Sequence, residues 1–241
     1  MKASTPIRLL AAAAASLTLF AACSDSDKDT TKTVATEAVA DTAGAAETTV
    51  PVTDAAPSFE GDLVGTFALD AGDCTAAAPT GSYFQMVQPG GTAEAGPFVP
   101  NADSACKDTN FTLLAPGTDG GLTSGTAQAS PTPAFDANNN ALVAAIAAPA
   151  KFFGSAFGVA TDGSGPIPSI TATGGTLSGD LSSFTAYWGG GTFSQGSAAA
   201  TGTIDPTTGD YTLTWTSLIS GGSFNGFTGV WHLQGTFTPK G

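Results

Sequence analysis

The last third of the chain alternates. Tyr211, Leu213 and Trp215 are interleaved with Thr212, Thr214 and Thr216, and Trp231, Leu233, Gly235 and Phe237 with His232, Gln234 and Thr236. A period of two sends successive side chains to opposite sides of an extended backbone, so each segment predicts a strand with one apolar and one wet face. Asp205-Pro206-Thr207-Thr208-Gly209-Asp210 supplies a preset bend at proline and positive φ at glycine. The spacing therefore predicts a hairpin of residues 199–204 and 210–217. Further strands are predicted at 61–69, with Leu63, Phe67 and Leu69 on one face, and at 82–88, 109–114, 121–129, 141–148, 151–160, 168–173 and 181–188. The Ala-rich stretch 141–150 fits a helical turn as well. No window sustains a 3.6-residue period with caps. About ten short strands between glycine-rich turns predict an all-β domain, an antiparallel Gly-rich β-sandwich or barrel.

The pattern begins only near residue 58. Residues 24–57 are rich in Thr, Ala, Asp and Glu and have no aromatic side chain; too poor in apolar surface to offset their chain entropy, they are expected to form a disordered linker. A coil of that length spans roughly 30 to 35 Å. Upstream, Lys2 and Arg8 precede an apolar run from Leu9 to Ala22, which reads as an export signal and is short for a bilayer span. It ends in Leu19-Phe20-Ala21-Ala22-Cys23, which resembles the lipobox of bacterial lipoproteins, with Phe20 where Leu is usual. The resemblance implies a diacylglycerol on Cys23 as the mature N-terminus, hence an exported protein held to the cell membrane or the outer membrane by lipid. Ser24, in place of Asp, resembles an outer-membrane address where the host has two membranes. The expected organisation is a signal peptide at 1–22, lipidated Cys23 and linker at 23–57, and the β domain at 58–241.

Charge narrows the chemistry. The chain has 7 Lys+Arg against 20 Asp+Glu, a formal net charge of -13. Removing residues 1–22 takes away Lys2 and Arg8 and no acid, leaving 5 Lys and no Arg against 20 acids, or -15. Without a guanidinium, bidentate contacts to phosphate or guanine are lost, and nucleic acid is excluded as a partner. One His and three Cys are too few for a His/Cys zinc site, a haem or an iron–sulfur cluster, so no cofactor is expected. With Cys23 assigned to lipid, Cys74 and Cys106 remain in an exported chain and are expected to form a disulfide.

Few residues carry chemistry. His232 is the lone imidazole, on the polar face beside Gln234 and Thr236. No Gly-x-Ser-x-Gly, His-Glu-x-x-His or P-loop occurs. Glu60 and Glu94 are available to pair with an Asp, which keeps a carboxylate-dependent envelope hydrolase acting on carbohydrate as the alternative reading. Asp136-Ala137-Asn138-Asn139-Asn140 has oxygens at the 1, 3 and 5 positions of a calcium loop, but Ala141 and Ala147 stand where Gly and Glu are required, and a hairpin turn is favoured. Aromatic residues crowd the end of the chain, among them Phe184, Tyr187, Trp188, Phe193, Phe224 and Phe227. Tyr187 falls on the face opposite Phe184, Ala186 and Trp188, which predicts that it is exposed. Tyr187, Trp188 and His232 are therefore the candidate ligand-binding residues, for a neutral glycan or another envelope protein. The reading favoured over the hydrolase is a non-catalytic binding or structural module.

The stretch Phe184-Thr185-Ala186-Tyr187-Trp188-Gly189, Gln195-Gly196, Gly202-Thr203-Ile204-Asp205, Gly209-Asp210-Tyr211, Phe224-Asn225-Gly226-Phe227 and Trp231-His232-Leu233 resembles the C-terminal half of exported all-β bacterial proteins of the PEP-CTERM type. The likeness covers residues 180–237 and lies in glycine and aromatic spacing. It implies an exported all-β fold and transfers no active site; here an N-terminal lipid would replace the C-terminal sorting signal.

Overall fold

A computed structural model describes residues 58–161, 163 and 165–241. The signal segment, Cys23 and the linker lie outside the described residues. The domain is all-β and antiparallel, with fifteen strands and one short 3-10 turn at Gly222–Phe224. No helix among the described residues is long and apolar enough to cross a membrane.

The larger sheet runs in the order β1 (Gly61–Asp62), β9 (Ser169–Thr173), β10 (Thr176–Asp180), β13 (Ala200–Ile204), β14 (Asp210–Leu218), β15 (Thr228–Pro239), β2 (Gly65–Leu69) and β6 (Gly121–Ser124). β15 is long enough to serve two partners on one edge. Gly235–Pro239 pair with β2, and Thr228–His232 pair with β3 (Tyr83–Thr92), which also carries β4 (Gly96–Phe98) and β5 (Thr112–Leu113). β1 and β2 are consecutive in the chain, yet β1 lies at one end of the strand order and β2 next to the strand at the other, and the sheet forms a half-barrel. Close approach at the turn of the curl needs a bare backbone: a Cβ on Gly235 would lie 1.8 Å from the Ala68 carbonyl.

The smaller sheet, in the order β12 (Gly191–Ser194), β11 (Phe184–Trp188), β8 (Ser155–Thr161) and β7 (Ala150–Phe152), shares one apolar core with the larger. Phe184, from the small sheet, meets Trp231 at 5.0 Å and Trp215 at 5.1 Å, both edge-on, and the two indoles stack at 5.9 Å. Offset and T-shaped rings are the favoured aromatic geometries, so this stack joins the layers by shape as well as by burial.

The predicted hairpin forms with Thr201 opposite Thr214 and Ile204 opposite Tyr211. Its turn is held by the Asp205 carboxylate, which accepts the N–H groups of Thr207 and Thr208, while Gly209 takes φ 79°. These donors also hold the Asp205 carboxyl below the usual carboxylate range. Cys74 and Cys106 are bonded, their Cα atoms 5.6 Å apart, tying the 70–82 loop to the 100–111 loop. By the chain-entropy account such a closure contributes about 3 to 4 kcal/mol.

Elsewhere the structure redraws boundaries. Residues 141–148 form neither strand nor helix; they run as a loop held by isolated bridges from Ala141 to Phe135 and from Ala147 to Pro116. The predicted strand 151–160 is a hairpin, β7 and β8 joined by Phe153-Gly154. Strands β4, β10 and β12 arise where the chain is rich in glycine and too short in apolar residues to alternate visibly.

An aromatic cleft as the candidate functional site

The site grows from two glycine turns. β11 ends at Trp188, opposite Gly191, and Gly189 and Gly190 complete a two-residue turn with φ 59° and 81°. That primed geometry matches the twist of the flanking strands. Between β14 and β15 the chain passes through Gly221, Gly222 and Gly226, at φ 83°, 62° and 84°, around the short turn that carries Phe224. The Asn225 side-chain oxygen accepts the Gly221 N–H at 2.8 Å, and the Ile219 carbonyl accepts that of Gly226 at 2.8 Å, which fixes the loop. The two turns face each other across an open groove of about 450 Å³ walled by Trp188–Phe193 and Ser220–Ser223.

Below the groove, and sharing Trp188 and Phe193 with it, lies a cavity of about 40 Å³ between the sheets. Its walls are Phe84, Phe152, Phe157, Phe193, Phe224 and both Trp188 and Trp231, completed by Met86, Ala186, Ile219 and Gln195. No carboxylate, imidazole or ammonium lines either space. Trp188 donates its indole N–H to the Phe152 carbonyl at 2.6 Å and presents its ring to Phe224, 5.4 Å away.

Phe153 stands just outside. Its φ is 49° and that of Gly154 is 80°, so the β7–β8 turn is also of the primed type, in which Asn or Gly is favoured at the first position. A phenylalanine in the left-handed region costs about 1 to 2 kcal/mol. The residue is nevertheless 44% exposed, its ring 4.9 Å from that of Phe152 and 5.6 Å from that of Phe224.

The sequence-derived candidates separate. Trp188 reaches the cleft. Tyr187 does not: it is only 7% exposed, and the expectation of an outward-facing ring is overturned. Its face is indeed opposite that of Trp188, but the 134–143 segment covers it, with Phe135, Ala141 and Val143 against the ring. Gly158, which pairs with Tyr187, permits that cover, because a Cβ there would lie 2.2 Å from the Val143 carbonyl. A glycine inside an apolar strand marks close backbone approach, and was the signal available in the sequence.

His232 lies on the outer face of the larger sheet, its imidazole stacked on Tyr83 at 4.7 Å, with Phe111 beyond. Burial between these groups pushes its pKa below the ordinary value and favours the neutral ring. Glu60 and Glu94 are both exposed and line neither space; Glu60 accepts the Gly174 N–H at 3.1 Å in the β9–β10 turn. Asp136 closes the favoured hairpin turn, accepting the Asn140 side-chain amide at 3.1 Å and the backbone N–H groups of Asn140 and Asn138 at 2.8 Å, and these donors, the Asn140 side chain first, lower its pKa. Gln195, Phe152, Phe153, Phe157 and Phe84 were not among the sequence-derived candidates.

The chain matches no family model, no curated protein and no solved structure.

Proposed function

We propose that this protein is a lipid-anchored envelope or cell-surface binding protein, tethered through Cys23 and the 24–57 linker, whose β domain takes an uncharged ligand in the aromatic cleft. The observation that carries the reading is the lining. Seven aromatic rings converge on one cavity with no ionisable side chain among them, and the cavity shares walls with a groove of mixed polarity. Ligand sites are concave and mostly apolar with few polar groups, and this cleft has that character. Hydrolysis by paired carboxylates draws no support from the geometry, since Glu60 and Glu94 stand away from the cleft lining.

Two measurements test the two halves. Cys23→Ala should move the protein from the membrane fraction to the soluble fraction or leave it unprocessed; unchanged membrane retention would reject the anchor. Phenyl β-D-glucopyranoside brings a ring to pack on Trp188 and Phe193 and hydroxyls to meet the polar walls of the groove of about 450 Å³. Its binding should change little between 50 and 500 mM salt, because screening acts on charge contacts. Trp188→Ala should weaken it by at least tenfold, and binding that survives this change rejects the cleft.

A further inference from the structure

The outermost strand of a sheet leaves every second backbone N–H and C=O without a partner, which makes it a template for another chain unless it is guarded. Most margins of this domain are guarded. β1 and β5 are two residues long, and β1 carries Asp62. β4 has Pro97 at its centre. The free side of β6 is taken by the Gln128 side chain, whose oxygen accepts the Thr123 N–H at 2.7 Å and whose nitrogen donates to the Gly121 carbonyl at 2.9 Å. On β7 the Lys151 carbonyl accepts the Asn101 side-chain amide at 2.9 Å.

β12 carries no such guard. It is the outermost strand of the smaller sheet, Gly191-Thr192-Phe193-Ser194, with no charge and no proline. The Gln195 N–H donates to the Phe184 carbonyl at 2.7 Å, and bonding alternates along an antiparallel ladder, so the backbone groups of Gly191, Phe193 and Gln195 turn to β11 and those of Thr192 and Ser194 turn away. Among the described residues nothing takes up those outward groups, and Thr192 and Ser194 are both exposed. The groove of about 450 Å³ opens beside this strand, with Thr192 and Phe193 in its wall.

Resting on the reading of the cleft as a binding site, we propose that its occupant is an extended peptide segment of another protein, added to the smaller sheet as a fifth strand on β12. Main-chain hydrogen bonds to Thr192 and Ser194 supply the affinity, and side chains at alternate positions supply the selectivity. The peptide residue beside Phe193 turns its side chain to the same face, into the groove, against Phe193 and the bare backbone of Gly221 and Gly222. No ionisable group lines the groove, so that side chain is uncharged, and β-branched or aromatic as an extended backbone favours. A second copy of this chain is disfavoured as the occupant, because each copy carries a formal net charge of -13.

The test is amide hydrogen exchange, followed by NMR on the full chain carrying Cys23→Ala so that no acyl group competes. The Thr192 and Ser194 amides should exchange fast in the free protein. The uncharged peptide acetyl-Gln-Thr-Val-Thr-Val-Thr-Gln-amide should slow both by about tenfold or more at saturation, and the same peptide methylated at its three central backbone nitrogens should not bind. Ser194→Pro removes an outward N–H without taking a bond from β11 and should weaken the unmethylated peptide by about tenfold or more, whereas Ser194→Val keeps the N–H and should not. Should Ser194→Pro not fold, the two peptides on the parent chain decide, and equal binding overturns the proposal. If phenyl β-D-glucopyranoside binds the groove and the peptide does not, or the peptide binds without slowing those amides, the added strand is overturned and the reading of the cleft stands. If neither binds, both fail. Amides already slow before peptide is added would show the edge filled by the chain itself or by a second copy, and would overturn the proposal too.

Discussion

Tyr187 and Trp188 are neighbours on one strand, yet they belong to different parts of the molecule. Trp188 points between the sheets, half-buried, where its wall is shared by the cavity and the groove. Tyr187 points away from the larger sheet and is closed over by the 134–143 segment in a small second core with Ala141, Val143 and Ala160. Alternation separates two faces of a strand; it does not say which face the rest of the chain will cover. In this sheet the face that packs against the core keeps an opening, and the face away from it is sealed.

That contrast can be broken from either side. The largest effect is expected at the sealed face: Tyr187→Ala removes a buried ring and should destabilise the domain by about 3 to 5 kcal/mol in urea unfolding, while leaving binding of a cleft probe unchanged. Loss of binding with little loss of stability would reverse the assignment of the two faces. Gly158→Ala should cost about 1 to 3 kcal/mol by overpacking against Val143, and should expose Tyr187, read as faster quenching of tyrosine fluorescence by acrylamide. At the open face the sign inverts. Phe153→Asn places a residue suited to the primed turn and should raise stability by about 1 kcal/mol. A thermal midpoint that falls would show that the packing of Phe153 on Phe152 and Phe224 outweighs the backbone strain.

The smallest effect is at His232, outside both faces. Its folded pKa lies below the ordinary value of about 6.5 because burial disfavours the cation. The unfolded chain therefore binds more protons near and below that pH, so stability rises with pH through this window and is lost as pH falls from about 7 to 5. His232→Gln should flatten that part of the profile of urea midpoint against pH. An unchanged slope would place the dependence elsewhere. The lowered carboxyls of Asp136 and Asp205 act only at lower pH, since their folded pKa values lie below the usual carboxylate range.

The strands that alternate strictly were legible from residue order alone. The hairpin of β13 and β14, the inward set Tyr211, Leu213, Trp215, Trp231 and Leu233, and the all-β class follow from a period of two and from turn residues whose backbone preferences are local. The pairing of Cys74 with Cys106 was legible too, from the number of cysteines left and the compartment expected. Tertiary structure alone decided what required a partner distant in the chain. Residues 141–148 are apolar enough for a strand but are held as a loop by bridges to Phe135 and Pro116, where Ala141 and Val143 pack with Tyr187. Phe153 sits in a conformation its own propensity opposes, kept there by packing on Phe152 and by Phe224 some 70 residues later. The Gln195 amide is aimed by Trp215, Trp231 and Ser217, residues 20 to 36 positions away. A local pattern carries φ, ψ and facing; the direction of a buried hydrogen-bonding group is set by which distant donors the fold brings to it.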